Sequence, residues 1–250
     1  MTPIGIIGAL HEELAGVLAQ LPDERVEYVA GREFRRGHWH GQPLVAVLSR
    51  VGKVAAATTA AVLIERFGVR QIVFTGTAGG LGDGVAVGDV VVAQTFLQHD
   101  IDASPLFARH EVPLYGRARF ATDDALAQAL ADAARDVLAR PAATLGADAV
   151  HEFALSAPRV HTGLVVSGDR FVATAQESAA LRRDVPDALA VEMEGAAVAQ
   201  VCHDYGVPFA ALRTVSDRAD DSAHVDFTRF ASRVASRYST AVLERYLRGA

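Results

Sequence analysis

The sequence predicts a single α/β domain spanning residues 1–250. Three observations carry that expectation. Short apolar runs of strand length alternate with Ala-rich or amphipathic stretches of helix length, which stop at Gly or Pro. Half of the 250 residues are hydrophobic and 22% are charged, an ordinary globular composition with enough apolar mass for a sizeable core. No repeat, low-complexity tract or linker interrupts the alternation, so one domain fits better than two small ones.

Taken in order, Ile4 to Ala9 reads as a buried strand with a small-residue turn, and His11 to about Leu21 as a helix stopping before Pro22. Val26 to Arg50 reads as a meander of short strands, with Glu33 to His40 polar and turn-rich and Leu44 to Leu48 buried. Lys53 to Phe67 is an apolar helix closed by Gly68. Gln71 to Phe74 is a buried strand, and Thr75 to Gly82 a glycine-rich turn where backbone N–H groups can approach a ligand. Val85 to Gln94 gives further strand around a Gly88-Asp89 turn. His99 to Tyr115 is irregular, a functional loop or an interface. Asp123 to Leu138 is an amphipathic helix, and Ala139 to Arg159 a surface loop with one helical turn. Val160 to Val166 is a strand, and Thr174 with Glu177 marks a capping box for a short helix to Arg183. Ala188 to Val191 reads as a strand, Gly195 to Tyr205 as a helix, Phe209 to Val215 as the last strand, and the chain from about Asp226 as a final helix.

Composition excludes several functions. The net charge of −6 and the absence of a basic cluster disfavour nucleic acid and anionic membranes as partners. No apolar run is long enough to span a bilayer. The start, from Met1 to His11, carries no basic leader, so a cytoplasmic, soluble protein is expected. Cys202 is the one cysteine and reads as a core residue. His38 and His40 lack ligand partners in register, so neither a metal nor another cofactor is expected. Ser49 to Lys53 lacks the upstream glycine and the Ser or Thr of a phosphate-binding loop, and Thr75 to Gly82 does not fit a dinucleotide fingerprint.

The chemistry concentrates in carboxylates beyond strand ends: Glu13, Glu194 and Asp217. Glu12 and Glu13 point about 100° apart on a helix, so at most one of them faces a site on the sheet edge. Each acid alone has a plainer reading as a helix cap or a complement to a helix dipole, and Glu192 taken alone keeps that reading. Jointly they suit glycosidic-bond hydrolysis. One carboxylate activates water, another protonates the leaving group, and a third accepts hydrogen bonds from a diol.

The motifs that carry this chemistry also carry a resemblance. Ile4 to Ala9, Val51 to Ala57, Thr75 to Gly80, Ser167-Gly168-Asp169, Val191-Glu192-Met193-Glu194 and Ser216 to Asp220 occur in an order that resembles the 5'-methylthioadenosine/S-adenosylhomocysteine nucleosidases, within the purine nucleoside phosphorylase superfamily. The resemblance covers nearly the whole chain and implies a three-layer α/β/α domain with a central mixed sheet, nucleoside phosphorylase-like. It implies Glu13 as the base for the attacking water, Asp217 as the acid at purine N7, and Glu194 on the ribose hydroxyls with Met193 beside the sugar. Phe171, Val172 and Gly79 would hold the adenine, and Thr77, Ser216 and Arg213 complete the implied substrate-binding set. The substrate is then a small adenine nucleoside, with no cofactor and a place in methionine salvage. The family resemblance also implies a homodimer, in which Leu106, Phe107 and Pro113 of the Asp102 to Tyr115 segment close the partner's pocket.

Some positions depart from the family pattern. Thr77 stands where Ser is usual, Leu10 where Met is common, and Ala139 to Arg159 resembles an insertion. Arg50 replaces a usual Gly, and an Arg50 pointing into the site would offer an anion contact. Two carboxylates and no Arg in the loop from Gly8 to Glu13 favour water over phosphate as nucleophile. A futalosine-type nucleosidase, a phosphate-dependent phosphorylase and a non-catalytic nucleoside-binding protein are the alternatives; pure binding would need neither Glu13 nor Asp217.

Overall fold

The structure is a computed structural model that describes residues 2–155, 157–219 and 227–249. Asp220, at the end of the last motif, and Asp226, the expected start of the final helix, lie outside the described residues. The first half of the chain forms β1 (Ile4–Gly8), α1 (His11–Leu18), β2 (Arg25–Val29), β3 (Arg32–Trp39), β4 (Gln42–Leu48), α2 (Lys53–Phe67), β5 (Gln71–Gly80), β6 (Val90–Gln98) and β7 (Arg119–Ala121). Then come α3 (Asp124–Leu138), α4 (Pro141–Leu145), α5 (Ala147–Glu152), β8 (Val160–Ser167), α6 (Ala175–Asp184), β9 (Ala188–Glu192), α7 (Gly195–Tyr205) and β10 (Phe209–Asp217). The last helical stretch is α8 (Phe227–Phe230), a π-helical turn over Ala231–Ala235, and α9 (Ser236–Gly249).

The apolar runs without polar alternation become strands buried on both faces. Their side chains divide, with period two, between two cores. Ile4, Ile6, Leu44, Ala46, Val73, Val90, Val92, Ala210 and Leu212 point to the core covered by α1, α3 and α9. Ile7, Val45, Val47, Ile72, Phe74, Val91, Ala93, Phe209 and Ala211 point to the core covered by α2 and α7. The result is the expected three layers.

The sheet is mixed and runs β2-β3-β4-β1-β5-β9-β8-β6-β10, with β7 on β6 and β10 pairing back onto β5. Strands β5, β9, β8, β6 and β10 thus close into a ring, and β1, β4, β3 and β2 extend from it. Strand β5 is the hub. One edge pairs with β10 from Ile72 to Gly79. The other edge pairs with β1 from Gln71 to Phe74 and with β9 only at Gly79 and Gly80. Between Phe74 and Gly79 that edge has no strand partner among the described residues. The functional site lies over this gap.

Several expectations from the sequence need correction. Thr75 to Gly80 is strand, not a turn: pairing with β10 overrides the local glycine signal, and the glycines serve close approach instead. A Cβ on Gly76 would sit 2.9 Å from Glu13 Oε1, and one on Gly79 3.0 Å from Asp217 Oδ1. Glu33 to Trp39 belongs to β3, with His40 in the turn after it, and Phe34 and Trp39 are buried between polar outward neighbours. Strand β6 begins at Val90, because the Asp89 carboxylate accepts from the N–H groups of Ala86 and Arg159 and holds the preceding residues in a turn. Ala139 to Arg159 holds two short helices, α4 and α5, with Leu145, Ala149 and Leu155 buried in the first core and the Leu145 carbonyl accepting from Arg237.

Gly195 opens α7 against the ring of Phe96, and a Cβ there would collide with that ring. Gly195→Ala is therefore expected to cost about 1–3 kcal/mol, seen as a fall of several degrees in Tm by calorimetry. An unchanged Tm would mean the packing around Phe96 yields freely.

Candidate active site

A cavity of about 190 Å³ opens at the carboxyl ends of β1, β9 and β10, over the unpaired edge of β5. Its wall includes Ala9, Leu10 and Glu13 from the β1–α1 turn, Thr77, Ala78 and Gly79 from β5, and Val191 to Glu194 from the end of β9. Ser216 and Asp217 close it from β10, Arg170, Phe171 and Val172 from the segment after β8, and Val51 and Phe227 from either side of the mouth.

Glu13 is buried in the first turn of α1, while Glu12 stays partly exposed and outside the cavity lining. The helix start turns the Glu13 carboxylate back: Oε2 accepts from the N–H groups of Ala9 at 3.0 Å and Leu10 at 3.1 Å. Oε1 reaches the open edge of β5 and accepts from Thr77 N–H at 2.8 Å and Thr77 Oγ1 at 2.9 Å. Glu13 thus supplies the acceptor that a missing strand would have supplied to Thr77. Four donors fix the carboxylate against the cavity.

Glu192 and Glu194 leave β9 in opposite roles. Glu192 accepts from Ser167 Oγ, from the N–H of Glu194 and Gly195, and from Arg213 Nη2 at 2.8 Å. Arg213 is buried, donates its other bonds to the carbonyls of Phe74 and Leu212, and lies 4.1 Å over the Phe74 ring centroid. It does not line the cavity, so its expected place in substrate binding is corrected: it acts one residue removed, by neutralising Glu192. The pair also explains why Glu192 keeps its helix-capping role. The gain is positional as much as energetic, since burying two charges consumes much of their attraction.

Glu194 is less well served. Among the described residues its one donor is the Gly52 N–H, at 2.8 Å, at the start of α2. Burial, then the neighbouring charge of Glu192, push its carboxyl up to about 8, against the opposing pull of the Gly52 N–H and Arg213. At neutral pH Glu194 is therefore largely protonated, able to donate to one hydroxyl and accept from another. Asp217 accepts from Ser216 Oγ at 2.6 Å and from Ala219 N–H at 2.7 Å. Ser216, at the bulge of β10, also donates to the Ala78 carbonyl of β5.

Phe171 is 50% exposed at the rim and Val172 is buried beneath it. Arg170, also lining the cavity, is ion-paired with Glu177. Arg50 points away: its guanidinium donates to the Gly31 carbonyl at 2.5 Å, and its own backbone is left-handed at φ +69°. Leu106 is 84% exposed, Phe107 and Pro113 are half-buried, and none of the three lines this cavity. Cys202 is buried, with its thiol pushed up to about 12 by burial, which makes it a poor nucleophile. Among the described residues no cluster of His, Cys, Asp or Glu is arranged to hold a metal, and no helix is long and apolar enough to cross a membrane. Val51 and Phe227 are lining residues that sequence reasoning missed. The signal for Val51 was an apolar residue directly before Gly52 and the helix start at Lys53.

A carboxyl that keeps its proton when folded but ionises near its ordinary 4.5 when unfolded costs stability as pH rises. The folded state then holds more protons than the unfolded state between those values, so stability falls between about pH 4.5 and about pH 8. Glu194→Gln is therefore expected to match the parent Tm near about pH 5 and to exceed it by several degrees near about pH 9. A Tm difference that does not change with pH would contradict the protonated Glu194.

Comparison with known proteins places this geometry among relatives. The family model described as the phosphorylase superfamily matches residues 3–248. A 5'-methylthioadenosine/S-adenosylhomocysteine nucleosidase of Shewanella denitrificans is 35% identical over 91% of each chain. The crystal structure of such a nucleosidase from Neisseria meningitidis, in complex with methylthio-immucillin-A, superposes with a TM-score of 0.86 at 33% identity over 100% of both chains. The native structure of futalosine hydrolase of Helicobacter pylori superposes with a TM-score of 0.83 at 30% identity, over 100% of this chain and 98% of that one.

Proposed function

The chain belongs to the 5'-methylthioadenosine/S-adenosylhomocysteine nucleosidases of the phosphorylase superfamily, and we propose that Glu13, Asp217 and Glu194 carry its reaction. The enzyme hydrolyses the N-glycosidic bond of 5'-methylthioadenosine and S-adenosylhomocysteine, releasing adenine and the 5-thio-substituted ribose. The supporting observation is that three carboxylates from the ends of three strands converge on one cavity.

The three acids divide the work. Glu13, held by four donors, takes a proton from water as the water oxygen bonds to the anomeric carbon. The bond from that carbon to purine N9 breaks, and its electron pair passes into the ring. Asp217 shares or delivers a proton at N7, so adenine departs neutral. Glu194 engages the ribose hydroxyls, Met193 packs beside the sugar, and Phe171 stacks on the purine over Val172. Gly79 leaves room for Asp217, and Thr77 and Ser216 orient the two acids.

Water rather than phosphate is favoured by the charges present. Arg50 is turned to Gly31, Arg213 is matched by Glu192, and Arg170 is matched by Glu177. Among the described residues, a phosphate beside Glu13 would meet a carboxylate without a spare cation. The likeness to futalosine hydrolase supports a futalosine derivative as the second reading. An acidic Asp217 at N7 favours an aminopurine. The active form is a homodimer in the cytoplasm, in which Leu106, Phe107 and Pro113 of a second copy close the pocket; the high exposure of Leu106 supports this.

Asp217→Asn is expected to lower kcat for methylthioadenosine by about 10²–10⁴-fold while binding stays measurable by calorimetry. Near-normal turnover in that variant would remove Asp217 as the acid. Glu13→Gln is expected to abolish water activation on the same scale, and hydrolysis retained there would move the base elsewhere.

A further inference from the structure

We propose that Asp169, Asp100 and Lys53 are positioning residues that clasp the purine-side segment 168–173 onto the start of α2, beside the N–H that holds Glu194. The inference rests on the assignment of Phe171 and Val172 to the purine and of Glu194 to the ribose.

Consecutive N–H groups at the N-terminus of α2 serve two carboxylates. Gly52 N–H donates to Glu194 Oε1 at 2.8 Å, and Lys53 N–H donates to Asp169 Oδ1 at 2.7 Å. The helix dipole favours negative charge there. Gly52 is suited to the place: its φ is +98°, and a Cβ would lie 3.1 Å from Asp169 Oδ1.

Asp100, just beyond β6, ties the same two parts together a second time. Its Oδ1 accepts from Lys53 Nζ at 2.6 Å, and its Oδ2 accepts from Asp169 N–H at 2.8 Å. His99, next to it, packs its ring against Gly168, where a Cβ would collide with it. The segment that carries Phe171 and Val172 is thus held at its base by contacts to α2 and to the end of β6. None of the three clasp residues lines the cavity. Their part in the reaction is to set the separation between the purine wall and the ribose carboxyl, both of which belong to one rigid nucleoside.

The chemistry of the two aspartates separates this role from simple stabilisation. Asp169 uses one oxygen as acceptor in the clasp, so Asn can replace it. Asp100 uses both oxygens with two donors, so Asn must turn its NH2 group onto one of them. Asp169→Ala, Asp100→Ala and Asp100→Asn are each expected to raise KM for methylthioadenosine about 10-fold, with kcat within about threefold and Tm nearly unchanged. Asp169→Asn is expected to stay close to the parent. Should an Asp100 variant fail to fold, Lys53→Met removes the Nζ contact and keeps the backbone N–H; a severalfold rise in KM is expected there.

Unchanged KM in Asp169→Ala or Lys53→Met, or an Asp169→Asn as impaired as Asp169→Ala, would overturn the clasp. Parent turnover keeps this apart from the function it rests on. Absence of adenine release by the parent protein would overturn that function, whereas parent turnover with unaffected variants overturns the clasp alone.

Discussion

Three carboxylates, those of Glu13, Glu192 and Glu194, are buried close together with one buried guanidinium, Arg213, to offset them. Buried charge is tolerated only where donors or counter-charges meet it. The architecture around the site is largely a supply of such donors. The start of α1 and the free edge of β5 serve Glu13, the start of α7 with Arg213 serves Glu192, and the start of α2 serves Glu194. Glu194 receives the least and keeps its proton. The unequal sharing gives neighbouring carboxyls different chemistry from the same residue type.

The topology makes this arrangement possible. A strand that changes partner along its length leaves backbone groups unpaired between the two partners. Strand β5 does this between β1 and β9, and a side chain fills the vacancy: Glu13 at the Thr77 N–H. Glycines at 76 and 79 then serve to bring carboxylates against the strand, rather than to bend it. The clasp on α2 extends the same logic outward, since one helix start orients both the ribose carboxyl and the purine-side segment.

Much of this was legible in the chain. The strands β1, β4, β8 and β9, the helices α2, α3 and α7, and the three acids at strand ends follow from periodicity and stop signals, and Glu13 rather than Glu12 faces the site as helical geometry allows. What stayed hidden depends on partners far along the chain. The glycine run reads locally as a turn and becomes strand only through β10, more than a hundred residues later. The sequence Val191-Glu192-Met193-Glu194 does not reveal which acid Arg213 will neutralise. The helices α4 and α5 carry too little amphipathic pattern to be read before Leu145 and Leu155 find the first core. The segment Val51-Gly52-Lys53 does not match a phosphate loop, and its N–H groups hold carboxylates of the protein itself.

The most direct test of the hydrolytic site is release of free base from methylthioadenosine in phosphate-free buffer, repeated with phosphate added. Adenine is expected to form at the same rate in both, because water is the nucleophile and Glu13 its base. Adenine formed only when phosphate is present would make the enzyme a phosphorylase and contradict the placement of water beside Glu13.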